Sequence, residues 1–303
     1  MADIKKIIED INKLRKERKA VILAHNYQLP EVQEIADFVG DSLGLSRQAA
    51  KTDAQVIVFC GVYFMAETAY ILSPEKKVLI PDSASGCPMA DMITAKQLRE
   101  LKTKHPGALV VAYVNSTADV KAETDYCCTS ANAINVVAKL IDKELIFVPD
   151  KYLGSYISKI LKKEMILWEG YCPTHLNITP EAIMAKKNEY PNAKVLIHPE
   201  CRSDSCALAD EVASTEGFVR YAKSTSVKEL IIGTEVGMLT RLRKELPEKT
   251  FIPVSEQAIC PNMKKNTLEK VLWSLEELKT EVVLPELIRL KAKKAIDRMV
   301  EIA

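Results

Sequence analysis

The strongest constraint on this chain is that it carries one pattern three times. Apolar runs end at His25, Tyr113 and His198, and each is followed two residues on by a polar side chain, Tyr27, Asn115 and Glu200. Twelve residues beyond each anchor stands an aspartate (Asp37, Asp125, Asp210), and seventeen beyond stands a hydroxyl (Ser42, Ser130, Thr215). Each unit closes on a Cys-Pro step, at Cys87-Pro88, Cys172-Pro173 and Cys260-Pro261. A period this long exceeds that of the common solenoid repeats and suits a complete small lobe repeated about a pseudo-threefold axis.

Within each unit the pattern reads as βαβαβ. Nine short apolar runs alternate with helical stretches: AVILAH, QVIVFCG and KVLIPD, then ALVVAYV, ELIFVP and MILWEG, then KVLIH, ELIIG and TFIPVS. Strands that are apolar throughout and separated by helices imply parallel sheets covered on both faces. The expected class is therefore α/β, three three-layer αβα lobes, each with a short parallel sheet and the active site at the central junction. The spacing divides the chain into lobe 1 with an N-terminal helix (1–86), lobe 2 (87–171), lobe 3 (172–260) and C-terminal helices that pack back on the lobes (261–303). KKNTLEKVLWSLEEL, in the last segment, reads as an amphipathic helix.

In parallel sheets, ligands bind beyond the carboxyl ends of the strands, beside helix N-termini. The three anchors and the three Cys-Pro steps all fall at such ends. About a pseudo-threefold axis they converge on one cavity. The hydroxyls lie in the short polar steps GDS, CTS and AST, where they either cap helices or donate to carboxylate or phosphate. Three thiolates without a fourth protein ligand suit a zinc ion with an open position or a [4Fe–4S] cluster with one uncoordinated iron. Thiolate softness fits both. Proline after each cysteine removes a backbone donor and holds the cysteine extended, which helps to aim its sulfur. The three aspartates, so alike, read as making a structural bond from helix to turn. Cys201 and Cys206 have no counterparts in the other units and read as incidental. His175, three residues after Cys172, also lacks a counterpart, and its role stays open.

Composition excludes several classes. Lys and Arg total 42 against 41 Asp and Glu, and no basic stripe alternates with aromatics, so no nucleic-acid partner is expected. No run reaches the length of apolar sequence that a membrane span needs, and MADIKKIIEDINKLRKERKA is a charged amphipathic helix rather than a signal peptide. Eight cysteines in such a chain point to reduced thiols and a cytoplasmic location.

The segments AHNYQ, VGDS, YVNS, CTSAN, HPEC, GTEVGM and CPNMKKNTLEKV, in this order from about residue 20 to the C-terminus, resemble the signature segments of the quinolinate synthase family. That resemblance implies condensation of iminoaspartate with dihydroxyacetone phosphate, with loss of phosphate and water, to give quinolinate for NAD biosynthesis. It implies a [4Fe–4S] cluster on Cys87, Cys172 and Cys260. Substrate contacts then fall on His25, Ser42, Tyr113, Asn115, Ser130, His198, Glu200 and Thr215. Tyr27, His25, His198 and Glu200 are the proton-transferring set, with Tyr27 serving isomerisation and dehydration. An L-aspartate oxidase or dehydrogenase is the implied supplier of iminoaspartate. Two other readings accompany this one: a radical iron–sulfur enzyme of the diphthamide-biosynthesis type, and a non-catalytic module stabilised by zinc.

Overall fold

The computed structural model of this protein describes residues 4–302; residues 1–3 of the expected N-terminal helix and residue 303 lie outside the described residues. Three four-stranded, wholly parallel sheets make up the architecture. The first holds β1 (Ala20–His25), β2 (Phe38–Gly40), β3 (Val56–Cys60) and β4 (Lys77–Leu79). The second holds β5 (Leu109–Tyr113), β6 (Tyr126–Cys128), β7 (Leu145–Val148) and β8 (Ile166–Leu167). The third holds β9 (Lys194–Ile197), β10 (Glu211–Val212), β11 (Glu229–Gly233) and β12 (Thr250–Pro253). All three share one strand order, β2-β1-β3-β4, β6-β5-β7-β8 and β10-β9-β11-β12. The α/β class and the threefold repetition hold. The strand count differs from the nine expected runs, because β2, β6 and β10 are two or three residues long, partly exposed, and carry no apolar run.

The repeated aspartates explain why those edge strands form at all. Asp37, Asp125 and Asp210 each stand just before an edge strand. Each accepts from a backbone N–H in the neighbouring central strand: Ile22 at 2.8 Å, Val110 at 2.8 Å and Val195 at 2.9 Å. The aspartates' own N–H groups return the bond to the carbonyls of the same residues. One residue thus supplies two rungs, one through its side chain, and pins a strand too short to hold itself. The structural role expected of these aspartates is correct, though the bond joins turn to strand.

Each sheet is sandwiched. The outer faces have separate apolar clusters, around Ile22, Val56 and Leu275 in the first lobe, Val110 and Ile146 in the second, and Val195 and Ile231 in the third. The inner faces share one cluster that includes Leu23, Phe147 and Ile232, so the lobes meet on a common core. After each Cys-Pro step the chain makes a short 3-10 turn and then a helix capped by threonine: Thr94 before 95–104, Thr179 before 180–189, Thr267 before 268–277. The first two helices cover the outer faces of the lobes that follow them. Among the described residues no further lobe follows the third of these helices. That helix lies with helix Ile4–Glu17 on the outer face of the first lobe, closing the ring. Helix Glu286–Glu301 straps the first two lobes, and Asn132 clasps its end by donating to the carbonyls of Met299 and Ile302, both at 2.9 Å.

Replacing Asp125 by Ala leaves the Val110 N–H without its charged acceptor at the end of β5. The expected cost is about 1–2 kcal/mol, toward the lower end for a partly solvated charged bond, with Asp125→Asn milder because it still accepts. Denaturant midpoints of the two variants check this; an unchanged midpoint for Asp125→Ala means the aspartate does not hold the edge strand.

Candidate active site

All twelve residues singled out in the sequence line one central cavity, together with Asp41, Thr129, His175 and Glu235. The space between atoms there, counted with its open mouth, is about 690 Å³. His25 and Tyr113 terminate β1 and β5, and His198 follows β9, so all three lie at strand carboxyl ends and face the junction. Parallel strands deliver them there because every central strand runs toward the axis.

The two anchor histidines are fixed alike. The N–H of Tyr27 donates to His25 Nδ1 at 3.2 Å, and the N–H of Glu200 donates to His198 Nδ1 at 3.4 Å. With Nδ1 occupied as an acceptor, the neutral ring carries its proton on Nε2. Burial pushes both pKa values down to about 3, against a smaller upward pull from Glu200. At neutral pH these imidazoles are therefore uncharged donors through Nε2–H. They are not acids waiting to release a second proton.

The repeated hydroxyls do not cap their helices. In the first and third lobes the preceding residue provides the cap, with Asp41 accepting from Gly44 N–H and Ser214 from Gly217 N–H. In the second, Asn132 Oδ1 accepts from Thr129 N–H at 2.9 Å and ties the turn that carries Ser130. Ser42, Ser130 and Thr215 are left to line the cavity, with His198 Nε2–H against Ser130 Oγ at 3.2 Å. Asn115 Oδ1 is buried and has no partner among the described residues. A buried acceptor without a partner is costly, and a bound molecule with a donor would satisfy it.

The three cysteines open equivalent 3-10 turns, in which Ala90, His175 and Met263 donate backbone N–H groups to the sulfurs of Cys87, Cys172 and Cys260. Three turns that aim N–H groups at sulfur are built for thiolates. Burial nonetheless pushes the Cys87 thiol up to about 12 and raises Cys172 and Cys260 as well. A bound cation reverses that preference, because a coordinating thiol is deprotonated outright. Among the described residues, the closest-set donors are Cys172 Sγ, a ring nitrogen of His175 and a carboxylate oxygen of Glu200, all within 4.8 Å of one another. Cys201, buried, and Cys206 both line a separate cleft with Tyr152 and Tyr156, away from the central cavity.

Glu200 is the hub. Tyr113 donates to its Oε1, and His175 Nδ1 lies 2.7 Å from its Oε2. Burial opposes its charge, but the hydrogen bonds it accepts from His175 and Tyr113 outweigh it and hold the carboxyl below the usual range. A carboxylate only accepts, so His175 donates from Nδ1 and, when neutral, accepts at Nε2. Thr234 Oγ1 sits 2.9 Å from that Nε2, and Tyr27 Oη sits 2.6 Å from Thr234 Oγ1. With His175 neutral and protonated on Nδ1, which also lies 3.1 Å from Cys172 Sγ, the bonds run in one direction, from the Tyr27 phenol through Thr234 and His175 to Glu200. Sequence reasoning left His175 open and passed over Thr234. Both occur in one unit only, so a search for repeated positions has no signal for them.

The histidines set the acid limb of stability. The folded state keeps them neutral to about pH 3, while an exposed imidazole takes its proton near pH 6.5. Between those values the unfolded chain binds more protons, so stability falls as pH drops from about 6.5 toward 3. His25→Gln keeps an N–H donor that does not titrate. Thermal midpoints of this variant between pH 7 and 4 are expected to fall less steeply than those of the parent, and parallel curves would remove His25 from the account.

Comparison with known proteins places this architecture. The family model described as quinolinate synthetase A protein matches residues 9–301. A quinolinate synthase of Dehalococcoides mccartyi (strain BAV1) is 61% identical over 296 residues, 98% of each chain. One from Pelobacter propionicus is 57% identical over 297 residues, again 98% of each. Quinolinate synthase 1 of Methanosarcina acetivorans is 54% identical over 296 residues, covering 98% of this chain and 97% of that one. The structure of the E-1-hydroxy-2-methyl-but-2-enyl-4-diphosphate reductase from Plasmodium falciparum matches over 82% of this chain and 87% of that one. Its TM-score of 0.32 and 13% identity carry no argument. With a family model spanning nearly every residue and relatives more than half identical from end to end, this chain belongs to the quinolinate synthetase A family.

Proposed function

We propose that this protein condenses iminoaspartate with dihydroxyacetone phosphate to quinolinate, releasing phosphate and water, in NAD biosynthesis. The observation that carries this reading is the composition of one cavity: three equivalent cysteine turns, three donor hydroxyls and a buried carboxylate–imidazole–phenol chain. Family membership gives the reaction its name, and the residues present suit its chemistry. Cys87, Cys172 and Cys260 are the residues to hold a [4Fe–4S] cluster, whose open iron supplies a Lewis acid. The N–H groups already aimed at their sulfurs fit thiolate ligands.

The remaining steps fall to the chain's own groups. Ser42, Ser130 and Thr215 hold anionic oxygens of the substrates, and Asn115 offers its unpartnered Oδ1 to a donor such as an amine or hydroxyl. His25, neutral and protonated on Nε2, polarises a carbonyl or hydroxyl oxygen by donation, while His198 gives its Nε2–H to Ser130 Oγ and so turns the Ser130 proton toward the substrate. Tyr27 sits at the head of the relay to Glu200, so its phenol can pass its proton through Thr234 to His175 and recover it, the Thr234 hydrogen bond favouring the phenolate that burial opposes. That suits ketose–aldose isomerisation and dehydration, which move a proton between neighbouring atoms.

A second reading rests on one observation, the close approach of donors on Cys172, His175 and Glu200. Three such donors suit a single zinc ion with an open position.

Metal analysis separates the two. Anaerobically purified protein is expected to carry about four irons and four sulfides per chain. Loss of the cluster should follow Cys87→Ala, Cys172→Ala or Cys260→Ala, and not Cys201→Ala or Cys206→Ala. Stoichiometric zinc without iron, abolished by His175→Ala, would favour the second reading. Holo-protein supplied with dihydroxyacetone phosphate and fresh iminoaspartate should release quinolinate and phosphate.

Tyr27→Phe removes only the phenolic hydroxyl. If that group acts in the transition state, kcat drops about 100-fold with substrate binding largely kept. Near-normal kcat would make Tyr27 a packing residue.

A further inference from the structure

Thr215 receives its orientation from outside its own lobe. Its Oγ1 lies 2.7 Å from Asn26 Nδ2, and Asn26 is wholly buried in the first lobe, one residue after His25. The two ends of an amide are easily confused, but here chemistry assigns them. Arg241 Nη1 lies 2.9 Å from the other end of Asn26, and a guanidinium can only donate, so that end is the oxygen. The end facing Thr215 is therefore the NH2. Arg241 is itself held by both oxygens of Glu216 and by Glu245 Oε1 at 2.6 Å. The Asn26 backbone is fixed as well, donating to Gly40 O at 3.0 Å and accepting from Gln33 Nε2 at 3.1 Å. The amide has no freedom to turn over.

A hydroxyl that already accepts an N–H on the side facing Asn26 must send its own proton elsewhere, and the open direction for Thr215 is the cavity it lines. We infer that Asn26 is a positioning residue: its amide N–H fills the acceptor side of Thr215 Oγ1 and turns that hydroxyl into a dedicated donor toward an acceptor-only oxygen of the substrate, a carboxylate or phosphate oxygen. The inference deepens the proposed function and rests on its assignment of Thr215 to an anionic group. Ser130 shows the same device, with His198 Nε2 as its donor. In both cases the N–H comes from a different lobe than the hydroxyl, so anion recognition depends on the lobes being correctly seated. The residues equivalent to Asn26 in the other units, Val114 and Pro199, have no side-chain donor to give. The device at Thr215 is thus particular to the junction of the first and third lobes.

The test reverses the polarity of this one bond. Asn26→Asp preserves shape and keeps an acceptor for Arg241, but the introduced carboxylate only accepts, so Thr215 swings its proton away from the cavity. Holo-protein of known iron content and thermal midpoint is titrated with quinolinate and, separately, with dihydroxyacetone phosphate. Thr215→Val is expected to weaken one of these probes by about 10- to 100-fold, which also tells whether the partner oxygen is carboxylate or phosphate. Asn26→Asp should weaken the same probe by a similar factor in the parent. In the Thr215→Val background it should cost only the few-fold effect of an added negative charge, a non-additivity that a general loss of structure does not produce. Should Asn26→Asp fail to fold, Asn26→Ala serves, with a smaller, several-fold loss that likewise vanishes beside Thr215→Val. Equal losses in both backgrounds, or none, overturn the role of Asn26 while leaving Thr215 as a ligand. No effect of Thr215→Val on either probe overturns the underlying assignment and the inference with it.

Discussion

The site exists because three parallel sheets share one inner apolar cluster. Each sheet alone would expose an inner face of residues such as Leu23, Phe147 or Ile232. Burying those faces against one another is the dominant favourable contribution available to the lobes, and it fixes where their strands point. All strands within a sheet run the same way, so packing the inner faces together brings the carboxyl ends, with their polar turns, to a common centre. The cavity is the region near the axis where polar strand ends replace apolar strand bodies.

A polar centre inside an apolar junction is costly unless its groups satisfy one another. Here they do so across lobes. Tyr113 of the second lobe donates to Glu200 of the third, Tyr27 of the first reaches Thr234 of the third, and Asn26 of the first holds Thr215 of the third. The same bonds that compensate burial therefore fix protonation. Burial keeps His25 and His198 neutral, and the bonds hold one carboxyl ionised and set a phenol at the head of a hydrogen-bonded chain. Stability and reactivity are set by one network, and changes to either will be felt in both.

Much of this was legible in the sequence, for a specific reason. The repeat marks positions whose role is imposed by the pseudo-threefold axis, and those positions are the anchors, the hydroxyls, the aspartates and the cysteines. Alignment of a chain with itself finds them without reference to any other protein. What it missed is what breaks the symmetry. His175 and Thr234 complete the relay to Glu200, yet their equivalents in the other lobes are Ala90 and Met263, and Gly61 and Pro149, so nothing recurs. The edge strands β2, β6 and β10 escaped because an aspartate side chain, rather than an apolar run, holds them in place. An asymmetric substrate needs asymmetric chemistry, and internal repetition is blind to it.

The last threonine-capped helix, Leu268–Glu277, has a bearing on how the molecule is made. A chain leaving the ribosome from its N-terminus folds early lobes first. The first lobe's outer face carries helix Ile4–Glu17 from the start, but the partner that completes its covering is encoded about 250 residues later and, at roughly 5–20 residues per second, arrives tens of seconds behind it. Throughout that interval the first lobe presents an incompletely covered apolar surface, and the third cysteine, Cys260, is synthesised only near its end. The ring therefore closes, and the full set of sulfurs comes into being, within the same stretch of translation. Assembly of the centre is timed by the chain's own topology.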